Sequence, residues 1–198
     1  MYLKEVELSD IQSVVDVHNI AFKDFFLTEL GSDFLLKYYS SILSNKEGII
    51  IGLFDEGELV AFCAATTRSK GFNKRILINN VLIFTIIGIK LIFSKPYALI
   101  RLFRNLSKRT VSQQDQGEYA ELLSVAVHNN KQNLGIGKKL LIELENQLVK
   151  RGIKQLSLTT DYYNNEKAIG FYHTLGYEVM YDFVAYPNRK MYRLIKNI

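Results

Sequence analysis

The residues of this chain best placed to do chemistry are Gly135, Gly137, Lys138 and Lys139, in the run Gln132-Asn133-Leu134-Gly135-Ile136-Gly137-Lys138-Lys139. Glycine lets a backbone turn tightly and approach a ligand closely. A helix must follow, because Ile136, Leu140, Leu141, Leu144 and Leu148 recur at helical spacing until Lys150, Arg151 and the stop signal Gly152. The first turn of that helix is the positive end of its dipole, so Lys138 and Lys139 are unfavourable there unless an anion is bound. A phosphate held by the free N–H groups of the turn would supply it. On a generic helix the same two lysines would simply be solvated. Two familiar phosphate motifs are excluded: the third glycine of a dinucleotide fingerprint is missing, and no Ser or Thr follows the lysine as in a nucleotide-triphosphate loop.

The element that must position this turn is the run just before it. Tyr119 to Val127 is short, almost continuously apolar and β-branched toward its end, which reads as a central strand covered on both faces. A loop at His128 to Asn133 then leads to the glycines. Glu121 stands near the start of that strand, and period-two geometry puts its side chain on the same face as Leu123 and Val125. A carboxylate against such a face has a raised pKa, which suits a general base. A surface carboxylate at a strand end is the plainer alternative.

Both ends of this stretch resemble a known family. Gln132-Asn133-Leu134-Gly135-Ile136-Gly137 is similar to the Q/R-x-x-G-x-G/A pyrophosphate loop of the GNAT superfamily of acyl-CoA-dependent N-acyltransferases. Ala120 to Val127 stands where the family has its CoA-binding strand. Asn165, Ala168, Phe171, Tyr172, Leu175, Gly176 and Tyr177 resemble its N-x-x-A-x-x-F-Y-x-x-x-G-F/Y segment, in order and at a similar distance. Leu134 departs from the pattern, since a basic residue is common there. The resemblance covers part of the chain, and its two motifs together are far more specific than either alone.

What the resemblance implies is an α+β fold: an α/β/α sandwich around a mixed, mostly antiparallel sheet that splays at the central strand and opens a wedge for the pantetheine arm. It implies acetyl-CoA as acyl donor and direct transfer to a primary amine. Gln132, Asn133, Leu134, Gly135, Ile136, Gly137 and Lys138 would hold the diphosphate. Val125, Ala126 and Val127 would pair with the pantetheine through main-chain bonds, with the Val125 N–H facing the oxyanion. Asn165 would contact the cofactor or cap its helix. An alkyl ammonium of pKa near 10 is about a thousandfold protonated at neutral pH, so a base or a water relay helps. Glu121 matches the catalytic glutamate of some members, and the Tyr172 hydroxyl would protonate the departing thiolate. A tyrosine there would also be buried as packing, since Ala168, Phe171, Tyr172 and Leu175 share one side of a helix.

The remaining elements fit a single domain spanning 1–198. Ser9-Asp10-Ile11-Gln12 reads as a capping box opening a helix whose face is Ile11, Val14, Val15, His18 and Phe22. His18 on that face is ordinarily a satisfied core histidine, although the resemblance puts this helix end near the acceptor. A second helix is expected at about 32–43 with Phe34, Leu35, Tyr38, Tyr39 and Ile42 as its stripe. Ile49 to Phe54 and Leu59 to Thr66 form a hairpin around Asp55-Glu56-Gly57-Glu58. Later come a strand at 155–160, a helix at 165–175, and strands at 177–186 and 190–195 joined by Pro187-Asn188-Arg189.

Composition bounds the function. Apolar content of 48% with both charge signs excludes disorder. The single cysteine, Cys63, excludes an intrachain disulfide and reads as a small buried hydrophobe. His18, His128 and His173 have no ligand spacing, so no metal site is expected. The N-terminal MYLKEVELSD has no apolar run behind its lysine, and a cytoplasmic setting is expected.

From Leu59 to Gln114 there are ten basic residues and no Asp or Glu, against a net charge of +5 for the whole chain. That asymmetry points to an anionic partner. The insert at about 71–112 holds the apolar run Val81 to Ile89, broken by Lys90. After Pro96 comes an amphipathic stretch, Leu99, Leu102, Phe103 and Leu106 against Arg101, Arg104 and Lys108. Asn79, Asn80 and Lys90 leave it short of the ~20 apolar residues of a membrane span. Three readings stay open: a helical cover over the acceptor pocket, a membrane-surface contact through 81–106, or a homodimer contact. Nucleic acid is not expected as a partner, because the basic segment is largely aliphatic and carries no recognised motif. The acceptor is expected to be a small-molecule amine, with a phosphate-bearing one such as a nucleotide-linked amino sugar favoured by the basic insert. A protein amine, or a non-catalytic acyl-CoA-binding or membrane-surface module, is the alternative.

Overall fold

In a computed structural model of the chain, which describes residues 1–23, 25–97, 100, 101, 104 and 115–198, the apolar periodicities resolve into one sheet with helices on both faces. In chain order the elements are β1 (Tyr2–Glu5), a 3-10 turn (Leu8–Asp10), α1 (Ile11–Ala21), α2 (Phe26–Glu29), α3 (Ser32–Leu43), β2 (Gly48–Asp55) and β3 (Glu58–Thr66). These are followed by α4 (Phe72–Asn79), α5 (Val81–Ser94), β4 (Ala120–Val127), α6 (Ile136–Lys150), β5 (Gln155–Asp161), α7 (Glu166–Thr174), β6 (Glu178–Ala185) and β7 (Arg189–Asn197). The seven strands lie in the order β1-β2-β3-β4-β5-β7-β6. Every pairing is antiparallel except β4 with β5. This is the mixed α+β sandwich implied by the resemblance.

The apolar stripes of the helices decide the layers. α1 and α3 cover one face of the sheet with Val14, Val15, Leu35, Tyr39 and Ile42, packed on Ile50, Phe62, Ala64 and Ala126. α6 covers the other with Leu140, Leu141, Leu144 and Leu148, packed on Ile51, Cys63, Ala65 and Leu122. Each of those four leucines is fully buried and contributes roughly 1.5–3 kcal/mol of transfer free energy. α6 therefore anchors rigidly, and the glycine turn at its start is held with it.

Two irregularities open the sheet where the site lies. β4 and β5 pair only through Ala120–Leu156, Glu121–Ser157 and Leu122–Leu158, after which they part while β5 continues alongside β7 to Asp161. The register between β3 and β4 slips at Ala64/Ala65, so Leu123 and Ser124 form a bulge. The bulge overturns one expectation. Leu123 faces the α1/α3 side but Val125 faces the α6 side, because the extra residue breaks strict alternation. Glu121 therefore does not share a face with Val125.

Other local readings are also corrected. β1 pairs with β2 and was not read as a strand. The capping box sits two residues earlier than Ser9–Gln12 and caps the 3-10 turn: the Glu7 N–H donates to Asp10 Oδ2 at 3.0 Å, while the Gln12 amide reaches Asp16. The helix carrying the apolar run continues past Lys90 to Ser94, because lysine is a good helix former and its ammonium projects outward to Asp33. Leu99, Leu102, Phe103, Leu106 and Lys108 lie outside the described residues.

Candidate active site

The parting of β4 from β5 leaves a cleft of about 390 Å³ running through the sheet. Leu122, Val125, Leu158, Ala168 and Tyr172 line it on the α6 side, and His18, Phe22, Phe25, Leu27 and Leu123 on the α1 side. A molecule in this cleft would pass from one face of the sheet to the other between two strands.

The strand edge exposed there carries free main-chain groups. His128 N–H donates to Val60 C=O at 2.9 Å, which sets the phase of the β3–β4 ladder. Antiparallel alternation then turns the N–H and C=O of Ala126 toward Phe62 and those of Val125 and Val127 toward the gap. The Gln132 side-chain amide reaches Val127 C=O from that side at 3.4 Å.

The glycine turn lies past the end of the same strand. Gly135 takes a left-handed φ of +71°, as does Asn133 at 62°, and this curls the chain so that α6 begins at Ile136. At Gly137 a Cβ would stand 3.4 Å from the Phe171 ring of α7, an ordinary contact. The main-chain N–H groups from Asn133 to Lys138 have no partner among the described residues, no side chain caps α6, and no acidic residue sits in its first turn. Leu134, Lys138 and Lys139 are exposed beside it. The turn thus sets unpartnered main-chain donors beside two exposed ammonium groups.

Tyr172 is fixed by the end of α7, where its carbonyl accepts from Leu175 N–H at 3.0 Å and Tyr177 N–H at 3.1 Å. Its ring packs edge-on to Phe171 and Tyr177. The hydroxyl faces the cleft without a hydrogen-bond partner among the described residues, and burial pushes it up to about 12, so it keeps its proton at neutral pH. Asn165 does not cap α7. Its Nδ2 donates to Thr160 Oγ1 at 2.6 Å and Asp161 C=O at 3.1 Å, which pins the start of α7 to the end of β5 and leaves its carbonyl oxygen available at the cleft.

Glu121 sits apart from these residues. Arg193 Nη1 donates to its Oε1 at 3.1 Å and the Ser69 hydroxyl donates to its Oε2. Its surroundings are thus an ion pair rather than an apolar face. Arg193 is fully buried, reaches Ser157 Oγ at 2.8 Å, and has Asp115 at 3.8 Å. Burial alone would lower the Arg193 pKa, but the charges of Glu121 and Asp115 and the neighbouring tyrosines hold it above the ordinary value. Asp115 accepts from Tyr119 and Tyr181, and these bonds keep its carboxyl below the usual range despite desolvation.

Sequence reasoning singled out His18 near the acceptor but missed its polar partners on the α1 side of the cleft. His18 Nδ1 lies 2.7 Å from the Tyr39 hydroxyl, which lies 3.1 Å from Ser124 Oγ. Burial drives the His18 pKa down to about 4, so the imidazole is neutral at pH 7, and its Nε2 has no partner among the described residues. At the mouth, Arg189 clamps Asp161 through both nitrogens at 2.5 Å. Ser124, the one polar side chain in Leu122-Leu123-Ser124-Val125-Ala126-Val127, was the available signal. Of the insert, no described residue lines the cleft, since α5 packs on α3 instead. The described residues also hold no cluster of potential metal ligands.

A sheet parted beside its central strand, with a glycine turn at the end of that strand, is the architecture of an acyl-CoA-dependent acyltransferase. The model of the Acetyltransferase (GNAT) family matches residues 14–177, and the chain belongs to that family. No curated protein sequence matches it. Among solved structures the fold is similar to the ribosomal-protein-S18-alanine N-acetyltransferase from Escherichia coli, with 17% identity and a TM-score of 0.63 over 100% of this chain and 93% of that one. It is similar to the ribosomal-protein-alanine N-acetyltransferase from Brucella melitensis, with 15% identity and a TM-score of 0.64 over all of both chains. The PaiA N-acetyltransferase from Thermoplasma acidophilum, solved in complex with coenzyme A, matches at 15% identity and a TM-score of 0.57 over all of both chains.

Proposed function

We propose that the protein transfers the acetyl group of acetyl-CoA directly to a primary amine through the cleft between β4 and β5. The observation that carries this reading is the pairing of a free, protonated Tyr172 hydroxyl on one side of that cleft with free β4 main-chain groups along its wall. Acetyl-CoA fits the residues present: the N–H groups of Asn133 to Lys138 suit its diphosphate, with the ammonium of Lys138 beside them, and the Val125–Val127 edge suits its pantetheine. Bound there, it supplies an activated acyl carbon. The Val125 N–H, pointing into the gap, is positioned to donate to the carbonyl oxygen as negative charge develops. The amine forms the new C–N bond as the C–S bond breaks, and Tyr172 donates its proton to the thiolate.

The amine must also lose protons. Glu121 has both oxygens engaged, so as a base it acts only through an intervening water or Ser69. On the α1 side, His18 with Tyr39 and Ser124 forms a chain of two hydroxyls and a neutral ring whose Nε2 is buried without a partner among the described residues. We assign deprotonation of the amine to a water-mediated step with Glu121 as the candidate base, and give the His18–Tyr39–Ser124 chain an orienting role.

Phe22, Phe25, Leu27 and Met191 give the acceptor side apolar and aromatic walls, with the Asp161–Arg189 pair at its mouth. A nucleotide-linked amino sugar suits such walls through its base and is the first acceptor class to test. Coenzyme A release assayed across a panel of amines decides it. Turnover with nucleotide-linked amino sugars above peptides and simple amines is expected, and none with any of them would discard that class. Failure to bind acetyl-CoA at all would discard the enzyme reading.

A further inference from the structure

Helix α5 is apolar on every side, Val81-Leu82-Ile83-Phe84-Thr85-Ile86-Ile87-Gly88-Ile89-Lys90-Leu91-Ile92-Phe93-Ser94. A helix of that kind is normally buried all round. Only one side is buried here: Phe84, Ile87 and Leu91 pack into the core beneath it, with the Phe84 and Phe34 rings 5.4 Å apart. The other side carries Leu82, Ile86, Ile89 and Phe93, at helical spacing along about 16 Å, exposed by 79%, 68%, 53% and 86%. Tyr97, 86% exposed, extends the line beyond the helix end, and Ile78 adjoins it from α4. A continuous apolar face of this size on a protein surface is an interaction site.

Charge decides what it meets. Against the ten basic residues between Leu59 and Gln114, the carboxylates seen paired with them among the described residues are Glu29, Asp33, Glu47 and Glu118. The segment stays strongly cationic, with Lys90 on α5 itself, where it pairs with Asp33, and Lys95 just past the helix end. A second copy related by a two-fold axis would press this cationic segment against itself. An anionic membrane surface matches both features, taking apolar side chains below its headgroups and attracting lysines beside them. Tyrosine at the boundary suits the headgroup level. α5 does not cross: no single described helix is long and apolar enough to span a membrane, and α4 and α5 are bent by 91° between Asn79 and Val81.

We propose that α5 lies in the plane of an anionic lipid surface, with Leu82, Ile86, Ile89 and Phe93 inserted and the flanking lysines on the headgroups. The catalytic cleft shares no described residue with this face, so docking is separable from acetyl transfer. The test is flotation of the intact protein with vesicles of phosphatidylcholine alone and of phosphatidylcholine with phosphatidylglycerol. Binding is expected to the anionic vesicles, weaker to the neutral ones, and falling with salt. Ile86→Ser with Phe93→Ser should reduce it about tenfold or more and leave acetyl-CoA affinity unchanged by calorimetry. Absence of vesicle binding, or equal binding by the double variant, overturns the proposal. A concentration-dependent dimer abolished by the same substitutions, without lipid binding, assigns the face to a second copy instead. Loss of acetyl-CoA binding by the wild-type protein would strike the enzyme reading and not this one.

Discussion

Replacing Glu121 by Gln separates a catalytic from a structural role for this carboxylate. The substitution removes the charge 3.1 Å from a guanidinium with no exposure, leaving Arg193 with Ser157 at 2.8 Å and with Asp115 at 3.8 Å, too long for a hydrogen bond. Breaking a buried ion pair from one side typically costs 3–5 kcal/mol. The Gln amide oxygen can still accept one hydrogen bond, so the lower end applies, about 3 kcal/mol. For a chain of this length that lowers Tm by roughly 6–12 °C. Urea and thermal unfolding at pH 7 measure it, with turnover assayed well below both melting temperatures. Pairing the change with Arg193→Met should recover part of the loss, because the buried guanidinium is then gone and Asp115 keeps its hydrogen bonds from Tyr119 and Tyr181. A Tm within a degree or two of wild type would refute the structural argument. If turnover falls about a hundredfold or more at neutral pH, and falls less at high pH, Glu121 is a base despite its ion pair. An unchanged pH–rate profile rejects that role.

Tyr172→Phe deletes one unpartnered hydroxyl and little packing, so it should lower kcat by about tenfold or more while acetyl-CoA affinity and Tm stay near wild type; loss of binding with kcat unchanged would reduce Tyr172 to packing. Gly135→Ala meets no atom within 4 Å but must hold a φ of +71°, a strain of about 1 kcal/mol that should weaken acetyl-CoA binding roughly fivefold in calorimetry. Unaltered affinity would remove the glycine turn from the cofactor site. His18 is held neutral down to about pH 4, whereas in the unfolded chain it protonates below about 6.5, so its contribution is present at neutral pH and is lost as pH falls through that window. Between pH 7 and 5 this one group should cost about 2 kcal/mol of unfolding free energy, and His18→Gln should flatten that slope. A slope unchanged by the substitution would mean that His18 titrates normally.

Much of the fold was legible because its signals are local. The leucine spacing after Gly135 specifies α6, and the stripe from Phe34 to Ile42 specifies α3 within the bounds 32–43. Glu56-Gly57, both at positive φ, specify the hairpin turn. The glycine turn was readable for the same reason, since the glycines, the lysines and the helix start are neighbours in the chain. The insert was half legible: its apolar content showed in the residues, but whether it covered the cleft or faced outward depended on α3, some fifty residues away.

What the sequence alone determined is the set of local shapes and the chemistry they can hold: strand, glycine turn, helix, and a tyrosine on the inner side of a later helix. What only the tertiary structure decided is which side chains meet across them. One extra residue in β4 turned Val125 away from the face of Glu121, and Arg193, more than seventy residues further on, closed over that carboxylate. His18, Tyr39 and Ser124 came into line from α1, α3 and β4. Alternation along a strand is a local rule, but a bulge and a cross-strand ion pair arise from the partner strands, and those contacts exist only once the sheet has closed.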